Sequence, residues 1–151
     1  TDPVQKAMEL IPFGPVLLID TAGLEDKTQL GQMRIKKSLD YLKRLDFAIY
    51  VVDGKNTDIE TYKKWKREAN KYNISHMVVV NKLDKLNEGE IENINKIFEI
   101  EEIKNLLEKK YQSKLQKEGG AQKVFAALSR KGFSYSQIRE ALKSYIEEFE
   151  E

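Results

Sequence analysis

The hydrophobic pattern of this chain changes its period after residue 84. Before that point, short continuous apolar runs are bounded by turn residues, a pattern typical of strands buried in a parallel sheet. The segments that contain these runs are VLLID at 16–20, FAIYVVD at 47–53 and HMVVVNKLD at 76–84. After that point, apolar residues recur every three or four positions, as they do on one face of a helix. The pattern predicts an α/β domain followed by an all-helical C-terminal module.

Helical segments separate the predicted strands. QKAMEL at 5–10 suits a further short strand. The turn-rich segment IPFGP separates it from the strand at 16–20, so the two strands are predicted to form a hairpin. Residues 28–45 and 57–72 show helical spacing of apolar side chains. In the second segment these are Ile59, Tyr62, Trp65 and Ala69. Strands that alternate with helices favour a layered sheet with parallel members.

The C-terminal part predicts several helices. Apolar stripes cover residues 91–98 and 103–111, and the acidic pair Glu101-Glu102 predicts a break between them. The pair Gly119-Gly120 predicts a linker before two further helices.

The sequence KGFSYSQI predicts a well-specified corner between those two helices. Gly132 suits the left-handed position after a helix. Ser134 and Gln137 have the spacing of a capping box. Phe133 before the cap and Ile138 after it fit a hydrophobic staple.

Composition narrows the classes of function. The chain has 151 residues with 26 basic and 25 acidic side chains, so charge gives no reason to expect nucleic acid or a membrane as a partner. It has no cysteine, which excludes disulfides, thiolate metal sites and thiol catalysis. The apolar run FAIYVV is too short to cross a bilayer. We expect a cytoplasmic protein, and because the first residue is Thr1 rather than Met, we expect a piece of a longer one.

The segment DTAG follows the strand predicted at 16–20 and has two interpretations. In phosphate sites, a carboxylate placed like Asp20 holds magnesium, usually through water, while a glycine N–H placed like that of Gly23 meets the γ-phosphate. The same letters also suit an ordinary strand end followed by a turn.

The segment NKLD at 81–84 favours the phosphate interpretation. Asp84 can accept hydrogen bonds from N1–H and the N2 amine of guanine, and it would be left unpaired opposite adenine. Asn81 can meet the base edge, and the aliphatic stem of Lys82 can cover the base. Both motifs in order, each at a strand end, predict descent from a guanine-nucleotide switch protein.

Residues 1–86 resemble the GTPase domain of the HydF-type hydrogenase maturation factors, in the Era/TrmE-like branch of P-loop GTPases. The resemblance lies in TDPVQKAMEL, GPVLLIDTAG, LGQMRIKKSL, DFAIYVVD and NKLD. It implies binding of GTP or GDP with magnesium, with Asp20 and Thr1 at the metal, and it implies a hydrogenase maturation partner. GTPase activity is implied by the resemblance alone, and no catalytic residue is assigned.

The chain departs from that family at the phosphate loop. No G-x-x-x-x-G-K-[ST] motif occurs in the 151 residues, and DGKN at 53–56 lacks both the glycine frame and the hydroxyl. The strand that leads into this loop is missing as well; in the family it lies between the strands at 16–20 and 47–53. Its loss should expose backbone edges or force those two strands together. We therefore expect a partial P-loop GTPase-like sheet, impaired in nucleotide binding and hydrolysis.

Residues 99–146 are similar to the three-helix repeats of the RecX family, modulators of the RecA filament. The corner SRKGFSYSQI carries most of this resemblance, although a generic capped helical hairpin has the same signals. We therefore assign a truncated GTPase-like domain to 1–86 and a helical module to 87–151, RecX-like from about residue 99. The leading function is a guanine-nucleotide switch protein. The alternative is a regulatory protein whose helices contact a RecA-type partner. A natural fusion, a truncation, a mispredicted reading frame or a designed chimera would each explain why the two resemblances occur in one chain.

Overall fold

The computed structural model describes residues 4–21 and 40–150, and the side chains among them as far as residue 147. Two compact units are present, Thr1–Asn81 and Lys82–Glu151, and each is described by itself. The first unit contains β1 (Val4–Leu10), β2 (Gly14–Asp20), β3 (Phe47–Asp53), α1 (Ile59–Lys71) and β4 (Ser75–Asn81). The second contains a 3-10 turn (Leu83–Lys85), α2 (Glu88–Leu106), a π-helical turn (Leu107–Tyr111), α3 (Gln112–Leu115), α4 (Gly120–Arg130) and α5 (Tyr135–Glu150).

Strands β1 and β2 form the predicted hairpin. They pair antiparallel from Val4 opposite Asp20 to Leu10 opposite Gly14. The expectation that residues 16–20 are buried is wrong, because Leu17 and Leu18 are 56% and 51% exposed. Among the described residues β2 pairs with β1 alone, and a two-stranded ribbon does not cover its own faces.

Strands β3 and β4 form a parallel pair, as predicted. Helix α1 connects them and covers one face, where Tyr50 of β3 packs on Trp65 of α1 with ring centroids 4.8 Å apart. His76 of β4 completes this contact, with Nε2 lying 3.0 Å from the hydroxyl of Tyr62. The other face is exposed, contrary to the prediction of strands buried on both sides. Its apolar side chains are Phe47, Ile49, Val51, Met77 and Val79.

Helix α1 has the amphipathic face that the sequence predicts. Asp58 caps it, since its Oδ1 accepts a hydrogen bond from the Thr61 N–H at 3.0 Å. Tyr62, Trp65 and Ala69 are buried under the helix. The helix therefore forms its apolar contacts against the sheet and begins where its cap places it.

The described strands form two separate sheets and not one. Strand β2 does not pair with β3 in the part of the chain that the structure describes. The anticipated alternative in which these two strands are forced together is therefore wrong for the described residues. The helix predicted over 28–45 lies outside the described residues except at its end, where 40–42 are helical.

The core of the second unit is built from α2 with the π-helical turn that continues it, from α4 and from α5. Val124 and Leu128 of α4 and Ile138 of α5 are fully buried in it, and so is Ile103 of the stripe predicted over 103–111. The predicted break at Glu101-Glu102 is wrong, because α2 runs through both residues. The helical winding changes only after α2, at the π-helical turn. The core comprises Ile103, Leu107, Tyr111, Val124, Leu128, Ile138, Ala141 and Tyr145.

Gly132 and Gly120 of this unit have different roles. Gly132 has a φ of 99°, the left-handed conformation predicted for it. The predicted linker at Gly119-Gly120 is a close-packed turn instead, because a Cβ on Gly120 would lie 1.8 Å from the carbonyl oxygen of Lys114. The turn therefore depends on close approach of two backbone segments, which only glycine allows.

Two helices of this unit, α5 and α2, begin with capping boxes. Ser134 N–H donates to Gln137 Oε1 at 2.8 Å, and Gln137 N–H donates to Ser134 Oγ at 3.3 Å, as predicted. Asn87 and Glu90 form a second box at the start of α2. The Asn87 N–H donates to Glu90 Oε2 at 2.8 Å, and the Glu90 N–H donates to Asn87 Oδ1 at 2.9 Å. The Asn-x-x-Glu spacing was the signal for this second box.

Replacement of Ile138 by Ala should lower the free energy of unfolding by about 2–5 kcal/mol, because it leaves a cavity in the helical core. Ile146→Ala is the matched control, since it makes the same change on the same helix at a side chain that is 52% exposed against 0% for Ile138. Urea unfolding followed by circular dichroism measures both. Equal losses in the two variants would contradict the described core.

Candidate functional site

The candidate site lies where the parallel strands end. The register pairs Asp53 of β3 with Asn81 of β4, the last residue of each strand. Carboxyl ends of parallel strands share one edge of a sheet, which is where ligands bind in open α/β folds. The sequence-predicted Asn81 therefore lies at the expected edge, next to the DGKN turn.

The turn after β3 is tied directly to Asn81. The Gly54 N–H donates to the Asn81 carbonyl oxygen at 3.1 Å. The Asp53 carboxylate accepts from the Lys55 N–H at 3.0 Å, and its carbonyl accepts from the Asn56 N–H at 3.0 Å. Gly54 is buried although the residues after it are exposed. These bonds hold the end of β4 against an ordered turn.

The backbone changes direction at Lys82. This residue has a φ of 61°, a left-handed conformation that an L-amino acid with a long side chain adopts only at a cost. The Lys82 carbonyl then accepts from the Lys85 N–H at 3.1 Å, which closes the 3-10 turn that contains Asp84. Asn81, Lys82 and Asp84 are all exposed, so each is accessible to a ligand.

The candidate metal residue Asp20 ends β2 and is exposed. In the described residues, no group of three or more histidine, cysteine, aspartate and glutamate side chains has the arrangement of a metal site. A single carboxylate still fits magnesium, which is commonly bound by one or two carboxylates with phosphate oxygens and water. Gly23 and Thr1 lie outside the described residues, so the structure places only Asp20 of the three.

None of the described helices is both long and apolar enough to span a membrane.

Comparison with known proteins identifies the family. The family model described as "Elongation factor Tu GTP binding domain" matches residues 15–148. The chain belongs to this family of GTP-binding domains. The match covers the parallel strand pair, the NKLD segment and nearly all of the helical unit.

Curated relatives of this GTP-binding domain are bacterial GTPases named Der. The protein from Nautilia profundicola is 33% identical over 85 residues, which cover 56% of this chain and 18% of the relative. Those from Nitratiruptor sp. and Sulfurimonas denitrificans are 35% and 37% identical over 82 and 84 residues, covering 54% and 56% of this chain. The chain spans only 17–18% of the length of these relatives. No solved structure matches the chain significantly.

The prediction of a GTP-binding ancestry is confirmed at the level of the family. The closer relation to the hydrogenase maturation factors and the RecX-like repeat stay predictions. The sequence analysis did not predict that Asp53 and Gly54 form a turn bonded to Asn81, because it considered DGKN only as a candidate phosphate loop. The available signal was an Asp-Gly pair at the end of a strand predicted next to the one that ends in Asn81.

Replacement of Lys82 by Gly should raise the free energy of unfolding by up to about 1 kcal/mol, because glycine adopts the left-handed conformation without strain. Lys85→Gly is the control, since Lys85 lies in the 3-10 turn without positive φ and should lose about 0.5–1 kcal/mol. Chemical denaturation of the two variants gives both values. Destabilisation of similar size in both would mean that Lys82 is not held in the left-handed region.

Proposed function

We propose that this chain is part of a GTP-binding switch protein related to the HydF-type hydrogenase maturation GTPases, and that Asn81, Lys82 and Asp84 read the guanine base. The observation that carries the proposal is the position of NKLD. This motif begins at the last residue of β4, the second strand of a parallel pair, in a chain of the GTP-binding domain family. The Asn81 end of that strand is the edge at which α/β sheets bind ligands.

The chemistry of the three side chains supports guanine over adenine. The Asp84 carboxylate only accepts hydrogen bonds, and guanine presents two N–H donors, N1–H and the N2 amine, on the same edge. Adenine presents a ring nitrogen acceptor there, so the carboxylate would face an unpaired acceptor. Lys82 offers an aliphatic stem for the face of the base, and the Asn81 amide can both donate and accept at its edge.

Magnesium and the terminal phosphate are assigned to the other motif. The resemblance places Asp20 and Thr1 at the metal and the Gly23 N–H at the γ-phosphate. Bound magnesium would neutralise phosphate charge there, as it does throughout phosphoryl-transfer enzymes. Asp20 lies at the end of β2 and is exposed, which supports its part in this assignment.

The proposal includes impaired binding and hydrolysis by these 151 residues. Phosphate binding in this class comes largely from the G-x-x-x-x-G-K-[ST] loop, which the sequence does not contain. The separation of β2 from β3 supports the idea that a strand leading to such a loop belongs between them. If a longer parent chain supplies that strand and loop, all the named residues act together in one nucleotide site.

The helical unit supports a second candidate function. It has its own three-segment core and two capping boxes, as a self-contained interaction module would. In this alternative, RecX-like helices contact a RecA-type partner. The family match through residue 148 favours the GTP-binding proposal, because it includes the same helices.

The base-reading proposal predicts a change of specificity. Asp84→Asn should weaken GDP binding by about 1–3 kcal/mol, since an amide cannot accept from both guanine donors, and should improve binding of xanthosine diphosphate. Nuclear magnetic resonance titration of the whole chain measures millimolar affinities. The matched control is Asp46→Asn, the same change at an exposed residue that precedes β3. If the two variants bind GDP equally, Asp84 does not read the base.

The impairment proposal predicts that this chain does not hydrolyse GTP above the uncatalysed rate. Hydrolysis depends on positioning and charge neutralisation around the transferred phosphoryl group, and the phosphate loop provides much of both. A phosphate-release assay with magnesium and GTP tests this. Release that rises in proportion to protein and is abolished by Asp20→Ala would contradict the proposal.

A further inference from the structure

We propose that Asp53 is a positioning residue for the guanine-reading segment Asn81–Asp84. It acts through the turn of residues 53–56, which holds the Gly54 N–H on the carbonyl of Asn81. The inference rests on the proposed function, which assigns the ligand of that segment. It also gives a role to DGKN, whose Gly-Lys pair is not part of a phosphate loop.

The first step is the closure of the turn by Asp53. Its carboxylate accepts from the N–H two residues later, that of Lys55, at 3.0 Å. Its carbonyl accepts from the N–H three residues later, that of Asn56, at 3.0 Å. Side-chain closure of this kind is a property of aspartate and asparagine, whose short side chains reach their own backbone two residues on. Both bonds fix the peptide group between Asp53 and Gly54.

The second step is the contact between this turn and β4. The N–H of that fixed peptide group, on Gly54, donates to the Asn81 carbonyl at 3.1 Å. Gly54 is buried, so solvent competes poorly for this bond. The bond belongs to the ladder that pairs Asp53 with Asn81, and it joins the turn after β3 to the first residue of the NKLD motif.

The third step is the direction of the chain after Asn81. The Asn81 carbonyl belongs to the same peptide group as the Lys82 nitrogen, and Lys82 has a φ of 61°. Fixing that peptide plane favours the left-handed turn over the extended continuation that most residues prefer. The Lys82 carbonyl then accepts from Lys85 and forms the 3-10 turn with Asp84. Loss of the Asp53 carboxylate should therefore loosen the segment that carries the base-reading carboxylate.

The same connection offers a matched control. Asp58 lies five residues further on, and its carboxylate accepts from the Thr61 N–H and hydroxyl at the start of α1. Asp58→Ala removes a helix cap and should destabilise the domain by an ordinary structural route. It should leave the bond between Gly54 and Asn81 in place. Asp53→Asn is the conservative variant, because an amide oxygen closes the same turn.

The experiment uses the whole chain and its Asp53→Ala, Asp53→Asn and Asp58→Ala variants. Hydrogen exchange of the Gly54 amide is measured by nuclear magnetic resonance, with global stability measured in parallel. Asp53→Ala should accelerate this exchange by about tenfold or more beyond the change in global stability, whereas Asp53→Asn and Asp58→Ala should not. Titration with millimolar GDP and ADP then measures affinity and base preference. Asp53→Ala should lose GDP affinity and its preference over ADP, and Asp53→Asn should restore both.

Each outcome decides a separate point. Unchanged Gly54 exchange in Asp53→Ala, or failure of Asp53→Asn to restore it, overturns the inference. So does a loss of GDP preference in Asp58→Ala that equals the loss in Asp53→Ala. If the unaltered chain binds no GDP even at millimolar concentration, the part of the proposed function that assigns base reading to Asn81–Asp84 in this chain is wrong, whereas weak binding agrees with the proposed impairment. The exchange rates alone then decide whether Asp53 orders the segment. If Asp53→Ala accelerates Gly54 exchange and still binds GDP with the affinity of the unaltered chain, Asp53 shapes the turn but does not position the reading segment, and the inference is wrong.

Discussion

The in-register parallel pairing of β3 and β4 is the constraint on which the candidate site depends. It places the last residues of both strands, Asp53 and Asn81, opposite each other. Helix α1 maintains this pairing from one face, where Tyr50, Trp65 and His76 make the aromatic contacts. A shift of one residue in this register would turn the aromatic face outward and separate the DGKN turn from the NKLD segment. Stability and site geometry therefore have a common origin in this unit.

In the part of the chain that the structure describes, one face of the β3–β4 pair lacks the cover that parallel strands normally have. Parallel strands are normally covered on both faces, because their connections run over the sheet. Here α1 covers one face, and Ile49, Val51 and Val79 remain exposed on the other. The hairpin β1–β2 has the same character, with Leu17 and Leu18 exposed. In the described residues, each of these two sheets therefore has apolar surface that its own strands do not cover.

The sequence predicted local features better than it predicted burial. The NKLD motif, the cap at Ser134 and the left-handed Gly132 depend on a few adjacent residues, and the structure has each at its expected element. The burial of 16–20 was predicted wrongly, because an apolar run shows what a strand can cover and not whether a neighbour is present. The break expected at Glu101-Glu102 failed for a related reason. Acidic residues are compatible with a helix interior. Here Oε1 of Glu101 forms an ion pair with Nζ of Lys104, one turn later, at 3.7 Å.

The π-helical turn at Leu107–Tyr111 has a consequence for how this protein tolerates changes of length. Ile103, Leu107 and Tyr111 are four residues apart, a spacing that rotates gradually around an ordinary α-helix. The wider turn takes up one extra residue and keeps all three side chains in the core. A helix with such a turn can lose one residue there and return to regular winding, with the following segments still in register. The exposed residues Glu108, Lys109 and Lys110 are thus where a one-residue deletion is least disruptive to the helical core.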